Sequence, residues 1–158
     1  MNEALRTEAG PGTSARERAL VVLTALLAVA IAVSVVHYAD NFLNFDDFPE
    51  PTSGPAPSAT VIGVSWFVFT AFGLGALVLF RRGQVAAAAG ALAFYSLSGL
   101  VGLGHYTVPG AIAMPWWRHA HIAADIVCGI AVLAFAVWAV RRFGRGPAGS
   151  RAGASRFG

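Results

Sequence analysis

The side chains with the means to bind a metal or move a proton are few: four histidines, one cysteine and eight acids in 158 residues. Their spacing sorts them into stripes. His37, Asp40 and Asn41 stand at i, i+3 and i+4, so a helix that continues past Tyr38 carries all three on one face. His121, Asp125 and Cys128 stand at i, i+4 and i+7 and form a second stripe. Ser98, Gly102 and His105 form a third, with small residues that let a neighbouring helix approach the imidazole. His119 lies two residues from His121, about 200° round a helix, and is expected to face headgroups or water.

Imidazole and carboxylate together suit zinc, copper, iron, manganese or nickel. The candidate metal ligands are therefore His37, His105, His121, Asp125 and Asp40, with Asn41, Ser98 and His119 as further ligand-binding candidates. In such a site an imidazole ligates through one nitrogen while a carboxylate holds the other; His121 or His105 is the natural partner of Asp125, and His121 with Asp125 has the right types for that role. Two histidines on facing helices at one depth also suit a b-type haem, ligated axially. A proton relay is a third use of a histidine beside an intramembrane acid. Plain structural roles compete with all of these. Asp125 can brace helices, Cys128 can pack as a small apolar residue, and a histidine at a helix end can sit at a membrane interface.

The elements that must position these residues follow from composition. The chain is 56% hydrophobic and 12% charged, too little charge to cover a soluble domain, which excludes an ordinary soluble enzyme. A bilayer core about 30 Å thick asks for about 20 apolar residues per helix. Four stretches meet that length, with spans expected at about 19–38, 59–80, 85–106 and 119–140. The expected fold is all-α: a polytopic four-helix transmembrane bundle over 19–140.

Arginine placement sets the orientation. Ten of the eleven arginines fall before span 1, between spans 2 and 3, or after span 4, and only Arg118 falls on the other side. Both termini are therefore expected in the cytoplasm, as tails without regular structure at 1–18 and 141–158, the second basic. The net charge of +3 then reads as a topology signal, with the lipid bilayer and not nucleic acid as the partner. Assigned this way, all four histidines lie on the outer side. His37, His105 and His121 would stand about 13–15 Å above the bilayer centre, in one layer. Span 1 reads as a signal anchor, because no small-residue cleavage site follows it.

The loop after span 1 carries Asp40, Asp46, Asp47 and Glu50, interleaved with Phe42, Phe45 and Phe48. Aromatics at spacing three suggest a short helix lying along the interface. The dipeptides His37-Tyr38 and His105-Tyr106 end spans 1 and 3 and hint at a duplicated hairpin. The lone Cys128 excludes an internal disulfide.

The four-span layout, with His37 and Asp40 followed by Phe48-Pro49-Glu50, an Arg82-Gly83 turn and Phe94-Tyr95-Ser96, resembles the EXPERA group of emopamil-binding and sigma-2-receptor-like proteins. That resemblance implies a lipid-ligand or isomerase-type pocket with intramembrane acids. Span 2 carries none, so no residue roles transfer. Three function classes stand at this point. The first is a transition-metal or haem site in transport, sensing or electron transfer. The second is an accessory or scaffold subunit, associated with other membrane subunits or with its own copies. The third is an enzyme acting on a lipid-like substrate with His121 and Asp125 as acid and base. No nucleophile, phosphate loop or cofactor fingerprint favours the enzyme. The arginine-only, Ala/Gly-rich composition looks like that of a high-GC bacterium, whose inner (plasma) membrane would house the multi-pass chain.

Overall fold

Apolar side chains offer the backbone no hydrogen-bond partners, and in each apolar stretch the chain satisfies most of its N–H and C=O groups by coiling. The computed structural model describes residues 11–49 and 57–144. Its four long helices are α1 (Pro11–Leu43), α2 (Ala59–Arg81), α3 (Val85–Leu100) and α4 (Trp116–Phe143). Among the described residues there is no strand. All four helices are long and apolar enough to span a membrane, α3 doing so together with the 3-10 segment Val101–Thr107 that prolongs it.

Local chemistry places the ends. Ser58 caps α2 by accepting the Val61 N–H at 3.3 Å. Gly83, at φ +79°, makes the left-handed turn into α3 that a side chain would resist. Pro115 precedes α4, where its missing N–H costs nothing.

α1 begins at Pro11, inside the segment expected to be an irregular tail, and α4 runs through Phe143 into the other. A tertiary contact accounts for the first extension. The Arg16 guanidinium donates to the carbonyls of Arg81 (2.7 Å) and Phe80 (3.0 Å) in the last turn of α2, the Phe80 oxygen also accepting the Gly83 N–H at 3.1 Å. Residues 1–10 and 145–158, the rest of the expected tails, lie outside the described residues.

Each helix packs on its chain neighbours and α1 packs on α4, closing a ring. At the arginine end the core is built from Leu23, Leu27, Phe80, Ala88, Leu92 and Val132, all fully or almost fully buried. Val21, Val22, Val29, Phe67, Val127 and Ile130 point outward and form an apolar girdle around the bundle. The closest crossing is between α3 and α4. A Cβ on Gly99 would overlap the Asp125 carbonyl oxygen, and one on Gly129 would stand 2.7 Å from the Ser96 oxygen. These glycines set how near Asp125 comes to α3.

The loop after α1 does not form the expected interfacial helix in its described part. Phe42 still belongs to α1, its ring 3.1 Å from a Cβ placed on Gly63 of α2, and Phe45–Asp47 is a single 3-10 turn. Residues 50–56 of that loop, Glu50 included, lie outside the described residues.

Candidate functional site

Helix α1 reaches Leu43, so His37, Asp40 and Asn41 share one face as their spacing predicts, and all three are buried. His37 is the hub. Its Nδ1 lies 2.7 Å from Oδ2 of Asp125 on α4, with both residues 2% exposed. Its Nε2 lies 3.4 Å from Nε2 of His105, in the 3-10 segment after α3. Gly102 makes room for this approach, since a Cβ there would come within 3.4 Å of His37 Cε1. Tyr38 donates its hydroxyl to the Ser98 carbonyl at 3.1 Å, tying α1 to α3 one residue away.

The expected pairing of Asp125 with His121 is not formed. Asp125 lies a turn deeper on α4, level with His37 across the α1–α4 contact. His121, one turn nearer the start of α4, meets α1 one turn further along, with its Nε2 3.1 Å from Oδ2 of Asp40. Pairing across helices has displaced pairing along one helix.

Asp40 is the centre of a second cluster. Its Oδ2 also accepts from Arg118 Nε at 3.1 Å, and its Oδ1 accepts from Asn44 Nδ2 at 2.7 Å. Arg118 reaches on to the Asp47 side chain (3.0 Å) and carbonyl (3.2 Å) and stacks against Phe48 and Trp117. It is 5% exposed. Sequence reasoning left Arg118 without a role, although its standing as the lone arginine on its side of the topology was a signal. Through it the turn Phe45–Asp47 is clamped to α4, and Phe48 is held 5.2 Å from the His105 ring.

Beside these clusters lies a pocket of about 500 Å³ between α1, α2 and the segment after α3. Phe45, Phe48, Phe69, Val61, Ile62 and Val108 form its apolar wall. His37, Asn41 and His105 present its polar end, and Asn41 is fixed there by donating to the His37 carbonyl at 3.0 Å. A concave apolar chamber of this size with a few convergent polar groups is the usual form of a small-molecule site.

The proposed metal ligands come together without forming one coordination sphere. The His105 and His121 rings each lie 5.5 Å from that of His37. Asp125 and Asp40, however, sit on imidazole nitrogens, and Asp40 is also engaged by Arg118. Among the described residues no three His, Cys, Asp or Glu side chains are placed to hold an ion. A b-type haem does not fit between His37 and His105, whose nitrogens touch at 3.4 Å. Ser98 contributes its backbone carbonyl to Tyr38. His119 stands apart, stacked on Tyr106 at 5.7 Å, and Cys128 packs into the apolar core. The two His-Tyr dipeptides thus take different roles: the histidines meet each other, while Tyr38 is buried and Tyr106 is exposed.

No family model matches the chain, and neither a curated protein nor a solved structure matches it, so the likeness to the EXPERA group gains no family assignment.

Proposed function

We propose that this chain is an integral membrane protein that binds a small, membrane-soluble amphiphile in the pocket at the histidine end. The observation that carries this reading is the joining of an apolar aromatic chamber to a carboxylate-backed imidazole pair at its polar end. Arginine bias supports both termini in the cytoplasm and the pocket at the outer leaflet of the plasma membrane. A ligand dissolved in that leaflet reaches the pocket by moving sideways, with its apolar body among Phe45, Phe48 and Phe69 and its polar group at His37 and His105.

Photo-crosslinking in nanodiscs tests this. The probe is a diazirine-bearing long-chain alcohol, with crosslinked residues mapped by mass spectrometry. Gly104 lines the pocket, and a Cβ there meets nothing within 4 Å, so the backbone admits a side chain at this wall and Gly104→Phe is the variant chosen to narrow the chamber. In the wild-type protein, labelling of Phe45, Phe48 and Val61 should be competed off by excess unlabelled alcohol, and in Gly104→Phe it should fall at least fivefold. Equal labelling in both proteins, or labelling that resists competition, would overturn the reading.

A further inference from the structure

The hydrogen-bond arithmetic of the buried array decides what kind of polar group the pocket receives. A carboxylate has no proton, so with Asp125 ionised its partner, His37 Nδ1, must be the donor at 2.7 Å. With His37 in its neutral form, His37 Nε2 is then an acceptor, and His105 Nε2 is the donor across 3.4 Å. A neutral imidazole carries one proton, so His105 Nδ1 is left as a bare lone pair. It takes no partner among the described residues, and it is not one of their buried unpartnered atoms, which are Thr70 Oγ1, Tyr95 Oη and His121 Nδ1. His105 itself lines the pocket.

The groups around the array do not disturb this count. Tyr38 spends its hydroxyl proton on the Ser98 carbonyl, His121 leans its Nε2 on Asp40, and Arg118 is held by Asp40 and Asp47. The array Asp125–His37–His105 therefore meets a ligand as a proton acceptor with a path behind it.

Resting on the ligand-binding reading above, we propose that the pocket takes an amphiphile headed by a weakly acidic hydroxyl, a phenol or enol, and that His105 accepts its proton. The step balances within the site. The ligand O–H bond breaks and leaves its electron pair on oxygen, and the proton goes to His105 Nδ1. The His105 Nε2 proton passes to His37 Nε2, and the His37 Nδ1 proton passes to Asp125 Oδ2. One proton has moved, the array goes from one negative charge to none, and the ligand oxyanion stays hydrogen-bonded to His105 Nδ1–H. The aromatic wall of Phe45, Phe48 and Phe69 suits a flat conjugated head, in which the oxyanion charge is delocalised. An alkanol, with no such delocalisation, would bind without transferring its proton.

The test uses an alkyl nitrophenol, whose phenolate absorbs visibly, and its methyl ether, each titrated into the full chain in nanodiscs. The phenol is expected to bind at least tenfold tighter than the ether and to show the phenolate spectrum when bound. Asp125→Asn removes the terminal acceptor and should abolish the phenolate spectrum while the ether still binds. Should Asp125→Asn fail to fold, His105→Gln, a half-buried position at the pocket rim, should likewise abolish the phenolate spectrum, and it should narrow the affinity gap between phenol and ether because the proton acceptor itself is gone. Equal affinities with no phenolate signal would overturn this inference and leave the pocket reading standing, as would a phenolate signal unchanged in His105→Gln. If neither probe displaces the crosslinking alcohol, the pocket reading itself falls.

Discussion

Asp40 and Asp47 both accept from Arg118, but they stand in different surroundings, and that difference ranks their contributions. The Asp40 side chain is 7% exposed and also accepts from His121 and Asn44, whereas the Asp47 side chain is 66% exposed. Removing one member of a buried pair leaves an uncompensated charge and costs about 3–5 kcal/mol, while an exposed pair contributes about 0–1 kcal/mol. Arg118→Gln should therefore destabilise the protein by about 3 kcal/mol, read as a fall in the thermal unfolding midpoint in detergent. In double-mutant cycles the coupling of Arg118 to Asp40 should be several times its coupling to Asp47. Arg118→Lys should recover less than half of the loss, because an ammonium cannot reproduce the planar fork that serves Asp40 and Asp47 together. Comparable couplings to the two aspartates would mean that the cluster is wetter than its burial indicates.

At the scale of the helices, the α3–α4 crossing brings Asp125 within reach of the rest of the array. Gly99 and Gly129 admit the facing backbone, whereas a Cβ on Gly75 or Gly90 would meet nothing within 4 Å. The four glycines therefore divide into two kinds. Gly99→Ala and Gly129→Ala should each cost at least about 1–3 kcal/mol through overpacking, with a matching loss of ligand binding as α3 is pushed away from α4. Gly75→Ala and Gly90→Ala should be neutral or stabilise by up to about 1 kcal/mol, because alanine is the better helix former. Thermal unfolding of the four variants side by side checks this. Sequence alone could read Ser98, Gly102 and His105 as a small-residue stripe, but α3 gives way to a 3-10 segment at Val101. The tighter winding changes the angular position of His105 relative to an α-helical continuation, and a 3.6-residue count does not foresee that.

At the scale of the whole molecule, the opposition of an arginine end and a histidine end makes the orientation testable. With both termini in the cytoplasm, a membrane-impermeant maleimide should label Asp46→Cys, an exposed site beside the pocket, in intact cells. Ser155→Cys, in the C-terminal tail, should be labelled only after permeabilisation. The natural Cys128 is buried and should stay silent in both experiments. The reverse pattern would place the pocket on the cytoplasmic side and leave its internal chemistry unchanged.

Four apolar runs, their approximate limits and the clustering of histidines at one end of the bundle were all legible in the sequence, because each depends on local hydropathy and on counting residues along a helix. So was the sharing of one face by His37, Asp40 and Asn41, though their burial was not. Only the tertiary structure decided that Asp125 meets His37 and that His121 meets Asp40. Both pairs join α1 to α4 across more than 80 positions of chain, at 88 and 81 residues of separation. Periodicity places a side chain on a face of its own helix and says nothing of the height at which another helix passes. That height is set by backbone contacts such as those at Gly99 and Gly129, and by the winding of the segment after α3. Those contacts turned a set of candidate metal ligands into a hydrogen-bonded array ending at an apolar pocket.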